Sequence, residues 1–244
     1  MEDRLANVYD DSKRADAYSL LAFPGTYYLA FRDLPSVLER HVEGTKALDF
    51  GCGTGRSTRF LKNLGYDTVG VDIAAPMVSK AREQDPGGEY HVVGDGELDH
   101  FSESGYDLVL STFTFDNVET MDHKVSLFTT LGGLVKPDTG RVVNLVSAPE
   151  IYQNEWASFT TKEFPENRSA RSGEKVRIVM LDVPDRRPVE DVVCTDESYR
   201  EVYARAGIEL LETYRPLGDS DDPYRWVSET EISPWAIYVL GGRS

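Results

Sequence analysis

The sequence predicts an α/β domain: a parallel sheet with helices on both faces. Three observations point there. An apolar run, Lys46–Phe50, enters the glycine cluster Gly51-Cys52-Gly53-Thr54-Gly55. A second run, Asp67–Val71, ends in the acid Asp72. Apolar runs and helical periodicities then alternate as far as Ser147. The first feature is a strand followed by a turn in which glycines let a ligand approach bare backbone. The second leaves a carboxylate at a strand end, where it can take a ribose.

In chain order, Phe23-Pro24-Gly25 reads as a turn. Tyr27, Phe31, Leu34 and Leu38 share one helical face, which Pro35 splits or restarts at a first-turn position. After the first strand, Ser57–Leu64 is a helix closed by Gly65. Pro76–Arg82 is a short helix, Glu89–Val93 a third strand and Tyr106–Ser111 a fourth. Val125, Phe128, Leu131 and Val135 repeat at helical spacing before Pro137, and Arg141–Val146 is strand five. The rhythm breaks after Ser147. Lys175–Val183 and Pro188–Cys194 read as a hairpin inside what would otherwise be a crossover. A helix bearing Tyr199, Val202, Tyr203 and Ala206 ends at Gly207, followed by strand Ile208–Tyr214, a polar loop, and a last strand, Ala236–Leu240. The division this predicts is a single domain over 1–244. It has N-terminal lid helices (1–44), a cofactor-binding core (45–147), a cap insertion (148–194) and a C-terminal helix with strands (195–244).

At 244 residues the chain can bury its own core without disulfide or metal staples. Forty-two acids against 26 bases give a net charge of −16, a field that repels nucleic acid and anionic membranes. The two cysteines, Cys52 and Cys194, form no CxxC and pair with no spaced histidines, so no metal or redox framework is expected. The polar N-terminus does not read as a signal peptide, and no stretch reaches membrane-span length, so a cytoplasmic protein, monomer or homodimer, is expected.

The glycine turn can be typed. Gly55 is followed by Arg56-Ser57, so the phosphate-binding lysine of a P-loop is missing. Arg56 also stands where a dinucleotide fingerprint has its last glycine. With Val69–Asp72, the turn Gly94-Asp95-Gly96, the run Tyr106–Ser111 and the segment Leu134–Gly140 following in order, residues 45–147 resemble the class I S-adenosylmethionine-dependent methyltransferases. Asp138-Thr139 replaces the glycine pair commoner in that family's last motif. The resemblance implies a seven-stranded Rossmann-like, doubly wound sheet with its last strand antiparallel, and S-adenosyl-L-methionine as cofactor.

It also implies roles. Gly51, Cys52, Gly53 and Gly55 would lay backbone against the ribose and methionine, and Asp49 would help hold the amino group. Asp72 would accept both ribose hydroxyls, while Ile73, Asp95, Gly96 and Ser111 would complete the cofactor site. Tyr18, Tyr28 or Arg32 would meet the cofactor carboxylate. Taken singly, Asp49 and Asp95 are equally readable as ordinary polar residues at strand ends. The segments around Tyr18–Arg32, Ser147–Cys194 and Pro216–Trp235 would form a lid, with Tyr27, Phe115, Tyr152, Trp156, Tyr224 and Trp226 lining a pocket for a small acceptor. Candidates for a general base are Asp116, His123, Glu155, Asp222 and the lid tyrosines, the first three foremost. Asp116-Asn117 could offer oxygens to Mg²⁺, but no further carboxylate can be placed beside them and no metal is expected. The reading is methyl transfer to O or N of a small molecule. The alternatives are aminopropyl or aminocarboxypropyl transfer, cyclisation of the cofactor, an NAD-dependent oxidoreductase, or a binding module without turnover.

Overall fold

A computed structural model describes residues 23–243. Five strands, β1 (Lys46–Phe50), β2 (Asp67–Asp72), β3 (Glu89–Val92), β4 (Leu108–Thr112) and β5 (Arg141–Ser147), pair in parallel. The insertion contributes β6 (Phe159–Thr160), β7 (Lys175–Met180) and β8 (Val189–Val192), which form a separate three-stranded antiparallel sheet. Strands β9 (Ile208–Tyr214) and β10 (Trp235–Arg243) complete the main sheet in the order β3-β2-β1-β4-β5-β10-β9, with β10 antiparallel to both neighbours. The expected seven-stranded Rossmann-like sheet is present.

The helices are α1 (Thr26–Arg32), α2 (Leu34–His41), α3 (Arg56–Asn63), α4 (Ala75–Gln84), α5 (Met121–Leu134) and α6 (Asp196–Ala206). Pro35 sits in the first turn of α2, where its missing N–H would have no partner in any case. Strand alternation sends side chains to two cores. Ala47, Leu108, Leu110, Val143, Leu145 and Ile237 pack with α1 and α2. Leu48, Val109, Val142, Val146 and Tyr238 face the opposite way, against α5 and α6. The cap joins the first core through Val176, Ile178, Met180 and Val189.

The long loop before β10 is pinned by Glu229, which is fully buried. Its carboxylate accepts from Thr26 Oγ1 (2.7 Å) on α1, Ala157 N (2.7 Å) in the insertion, and Val227 N (2.8 Å) and Ser228 N (3.1 Å) in its own loop. Three distant segments therefore close over the carboxyl edge of the sheet together.

Candidate active site

The site begins where β1 ends. Gly51 N and Cys52 N both donate to Val71 O (2.9 and 3.0 Å), which folds the turn back over β2. Gly51 has φ 74°, and a Cβ there would lie 2.1 Å from Thr114 Oγ1, so only glycine admits that side chain. Gly53 has φ 53°, and the only atom a Cβ would meet is Met77 Cε at 3.9 Å; its open side faces the cleft. Gly53 N and Ala74 N donate to the two oxygens of Asp72, each at 2.8 Å. Those bonds fix the orientation of the carboxylate.

From this turn a cleft of about 1010 Å³ runs along the carboxyl ends of the strands. Cys52, Gly53, Asp72, Ile73 and Asp95 line its near end, and His123 Nε2 lies 3.1 Å from Asp95 Oδ1. Tyr27, Phe113, Phe159 and Trp235 wall its far end. Those rings stack or meet edge-on, with Tyr27–Trp235 at 5.6 Å, Tyr27–Phe159 at 5.2 Å and Phe113–Trp235 at 4.9 Å. Arg56 reaches over the Tyr27 ring at 4.8 Å. Phe113, directly after β4, adopts φ 63°, a left-handed conformation unfavourable for an aromatic residue and typical of functional turns.

Acids gather beside the aromatic wall. β8 packs on the turn after β4, bringing Asp191 to the same region as Asp116. Both oxygens of Asp116 accept from Ser147 N (3.2 and 3.1 Å). Burial pushes the Asp116 carboxyl up to about 6, against the hydrogen bonds from the Ser147 side chain and N–H and the field of Lys124. Lys124 is itself fully buried, its amine lowered by burial, and it donates to Phe115 O. Tyr152 Oη donates to Asp191 Oδ2 (3.1 Å); burial and the Asp191 charge hold this phenol well above its usual range. At the rim, Lys175 Nζ bridges Glu119 (3.3 Å) and Glu190 (2.9 Å).

The structure brings some of the sequence-predicted residues together and sets others apart. Gly51, Cys52, Gly53, Asp72, Ile73, Asp95, His123, Asp116, Tyr27 and Tyr152 line the cleft. Asp49 does not. It is fully buried beneath the turn, with Oδ2 accepting from Ser57 Oγ (2.7 Å) and Thr58 Oγ1 (2.6 Å), and it ties α3 to β1. Gly55 caps α3 and gives room to Tyr90, whose hydroxyl a Cβ would approach to 2.7 Å. Gly96 lies past the cleft-lining Gly94 and Asp95, and Ser111 is buried within β4; neither lines the cleft. Phe115 stacks on Phe128 in the core at 4.0 Å. Trp156 is also core, its Nε1 donating to Ile151 O (2.8 Å).

Glu155 accepts from Thr160 Oγ1 and Thr161 N and so organises the entry to β6, outside the cleft. Arg32 is held by Asp33 and Asp222 (2.7 and 2.9 Å). Tyr28, Tyr224 and Trp226 cluster with one another on the outer side (5.3–6.5 Å) rather than in the cleft. Tyr18 lies outside the described residues. The cysteines are both buried and free, and among the described residues no three His, Cys, Asp or Glu are grouped to hold a metal. Sequence reasoning placed Trp235 in a functional loop without assigning it to the cleft, and missed Asp191, Phe113 and the Lys175 bridge. The alternation of β8, with Val189 and Asp191 two apart, was the available signal for Asp191.

A family profile described as "Methyltransferase domain" matches residues 48–138. The segment it covers contains the glycine turn, Asp72, Asp95 and Asp116. Residues 48–138 are thus similar to a methyltransferase domain. The biotin biosynthesis bifunctional protein BioHC of Cellvibrio japonicus is 38% identical over 79 residues, 32% of this chain, and the chain spans 15% of that protein's length. The cypemycin N-terminal methyltransferase of a Streptomyces species is 27% identical over 134 residues, 54% of this chain and 53% of that protein. Among solved structures, the CcbJ methyltransferase of Streptomyces caelestis superposes with a TM-score of 0.67 at 19% identity, covering 98% of this chain and 99% of that one. The last likeness extends the methyltransferase fold to the N-terminal helices and the cap.

The cofactor of this family is S-adenosylmethionine. The chain's own residues fit it. Asp72, its carboxylate oriented by the turn, has the acceptor chemistry that a pair of ribose hydroxyls calls for. Ile73, 50% exposed beside it, offers an apolar face to a purine. Gly53 leaves open the space a side chain would fill. The turn needs no phosphate-binding lysine, because this ligand has no phosphate.

Proposed function

We propose that the protein transfers a methyl group from S-adenosylmethionine to a nitrogen or oxygen of a small molecule. The observation that carries this reading is a single cleft. It joins the glycine turn and Asp72 to a region lined by aromatic rings and two buried carboxylates. When bound, the cofactor supplies an electrophilic methyl group on a sulfonium.

Asp72 would hold the ribose, Ile73 and Asp95 the adenine, and the Gly51–Gly53 backbone the methionine portion. The far end would seat the acceptor, with Tyr27, Phe159 and Trp235 against its apolar part. These buried walls exclude water and orient the acceptor, which is where most of the rate enhancement in such a transfer arises. Asp116 is the group best placed to take a proton from the acceptor. It is fixed by Ser147 N and buried, and its carboxyl is raised towards neutrality.

Two measurements test the reading. Calorimetry should show S-adenosylhomocysteine binding and no measurable NADH binding. Incubation with cofactor labelled separately in the methyl and carboxyl positions should move only the methyl label into product. Transfer of the carboxyl label would assign aminocarboxypropyl chemistry instead.

A further inference from the structure

We infer that Asp49 is a proton switch beneath the cofactor turn: the empty protein holds a proton there, and the cationic methionine end of S-adenosylmethionine expels it on binding. The inference rests on the cofactor assignment above and adds a proton to its binding equilibrium. Asp49 is fully buried two residues before Gly51, and its two oxygens differ in their surroundings. Oδ2 accepts from Ser57 Oγ (2.7 Å) and Thr58 Oγ1 (2.6 Å), whereas Oδ1 has no hydrogen-bond partner among the described residues. A carboxylate spreads its charge over both oxygens, so ionisation puts part of a charge on a buried atom that nothing solvates. A neutral carboxyl bears that isolation at far lower cost. The unpartnered oxygen therefore favours the acid.

The charged neighbours divide over that balance. Burial holds the proton on and the Asp72 charge at the end of β2 adds to it, while Ser57, Thr58 and Arg56 of α3 favour the carboxylate; the outcome is a carboxyl raised to about 6. Within the sheet, Asp49 stands beside Gly70 of β2 and Leu110 of β4, which carry no charge. Its field reaches the cleft. Burial, then the Asp49 and Asp72 charges, hold up the thiol of Cys52, a residue that lines the cleft. A cation seated on the Gly51–Gly53 backbone acts on the same group in return. It stabilises the carboxylate and leaves the neutral acid untouched, so the Asp49 proton passes to the buffer. Protonation and cofactor binding then oppose each other, and by linkage affinity falls as pH drops through the range where Asp49 takes its proton.

Calorimetry of the full chain with S-adenosylmethionine, run in buffers of different ionisation enthalpy, counts the protons released. Displacing the Asp49 titration by about one pH unit should release about half a proton near pH 5.5 and weaken Kd about fivefold between pH 7.5 and pH 5. Asp49→Asn, whose amide oxygen can still accept from Ser57 and Thr58, should bind the cofactor with no such release and a level Kd. Thr58→Val removes one donor to the carboxylate and should move the fall in affinity to higher pH, which keeps the switch testable if the asparagine variant does not fold. A parent that releases no proton and keeps one Kd over this range overturns the inference. So does an Asp49→Asn protein that still releases the proton, which would assign it to His123 or Asp116, both of which line the cleft. If S-adenosylmethionine binds at no pH, the cofactor assignment falls. If it binds without releasing a proton, only the switch falls.

Discussion

At the end of β2, the Asp72 carboxylate is clamped by Gly53 N and Ala74 N, so in the proposed role it would meet a ribose already oriented. Removing it takes away two charge-assisted acceptors and leaves two turn N–H groups without a partner. Asp72→Ala should weaken S-adenosylhomocysteine by about 1.5–3 kcal/mol, roughly ten- to a hundredfold in Kd by calorimetry. An unchanged Kd would place the ribose elsewhere. Asp116 divides differently between binding and chemistry. Its side chain lies along the cleft from the glycine turn, so Asp116→Asn should keep cofactor affinity while lowering kcat by about a hundredfold or more. Loss of affinity together with kcat would instead give Asp116 a role in building the cofactor pocket.

Elements decide which of these residues share a cleft, and this is where the sequence was only half legible. The core motifs follow the strand ends directly, so Gly51, Gly53, Asp72, Asp95 and Asp116 could be placed from the apolar runs that precede them. The lid could not be placed the same way. Tyr27 and Tyr28 are neighbours on α1, yet Tyr27 enters the cleft and Tyr28 joins Tyr224 and Trp226 outside it. That choice depends on the rotation of α1, which is set by Thr26 bonding Glu229 203 positions away. Glu155 and Arg32 carry charge suited to chemistry but are satisfied locally, by Thr160 and Thr161 and by Asp33 and Asp222. No spacing rule reports such pairings.

The Glu229 clasp makes this level testable. Glu229→Ala would strand Thr26, Ala157 and the loop N–H groups in a dry setting, and should lower stability by about 3 kcal/mol in urea denaturation. Glu229→Gln, which keeps two of the acceptor lone pairs, should lose less. If the alanine variant is as stable as the parent, water replaces the carboxylate and the three segments are held by their apolar contacts alone.

Over the whole molecule, opposed sets of carboxyls define a pH window. Asp85 and Asp107 are held low by Lys62 and Lys136 hydrogen bonds respectively, and Asp196 by Tyr238 and Arg215, each against its own desolvation. Their stabilisation is present above the ordinary carboxylate range and is lost as pH falls through it. Asp49 and Asp116 behave in the opposite sense. Burial raises both from 3.8 to about 6, and for Asp49 the neighbouring Asp72 charge adds to the effect while Ser57, Thr58 and Arg56 oppose it. Between those values the folded chain binds protons that the unfolded chain has released, so stability falls as pH rises and levels off above the folded value. For Asp49 alone the shift corresponds to roughly 2 kcal/mol between pH 4 and pH 7. The net charge of −16 pushes in the same direction, since self-repulsion grows as the last carboxyls ionise. Urea denaturation should therefore give a higher unfolding free energy at pH 5 than at pH 8. Asp49→Asn, whose amide oxygen can still accept from Ser57 and Thr58, should flatten that slope. A parent curve that is level or rises from pH 5 to pH 8 would mean that Asp49 is ionised in the folded chain at no cost, its charge supported by donors beyond Ser57 and Thr58.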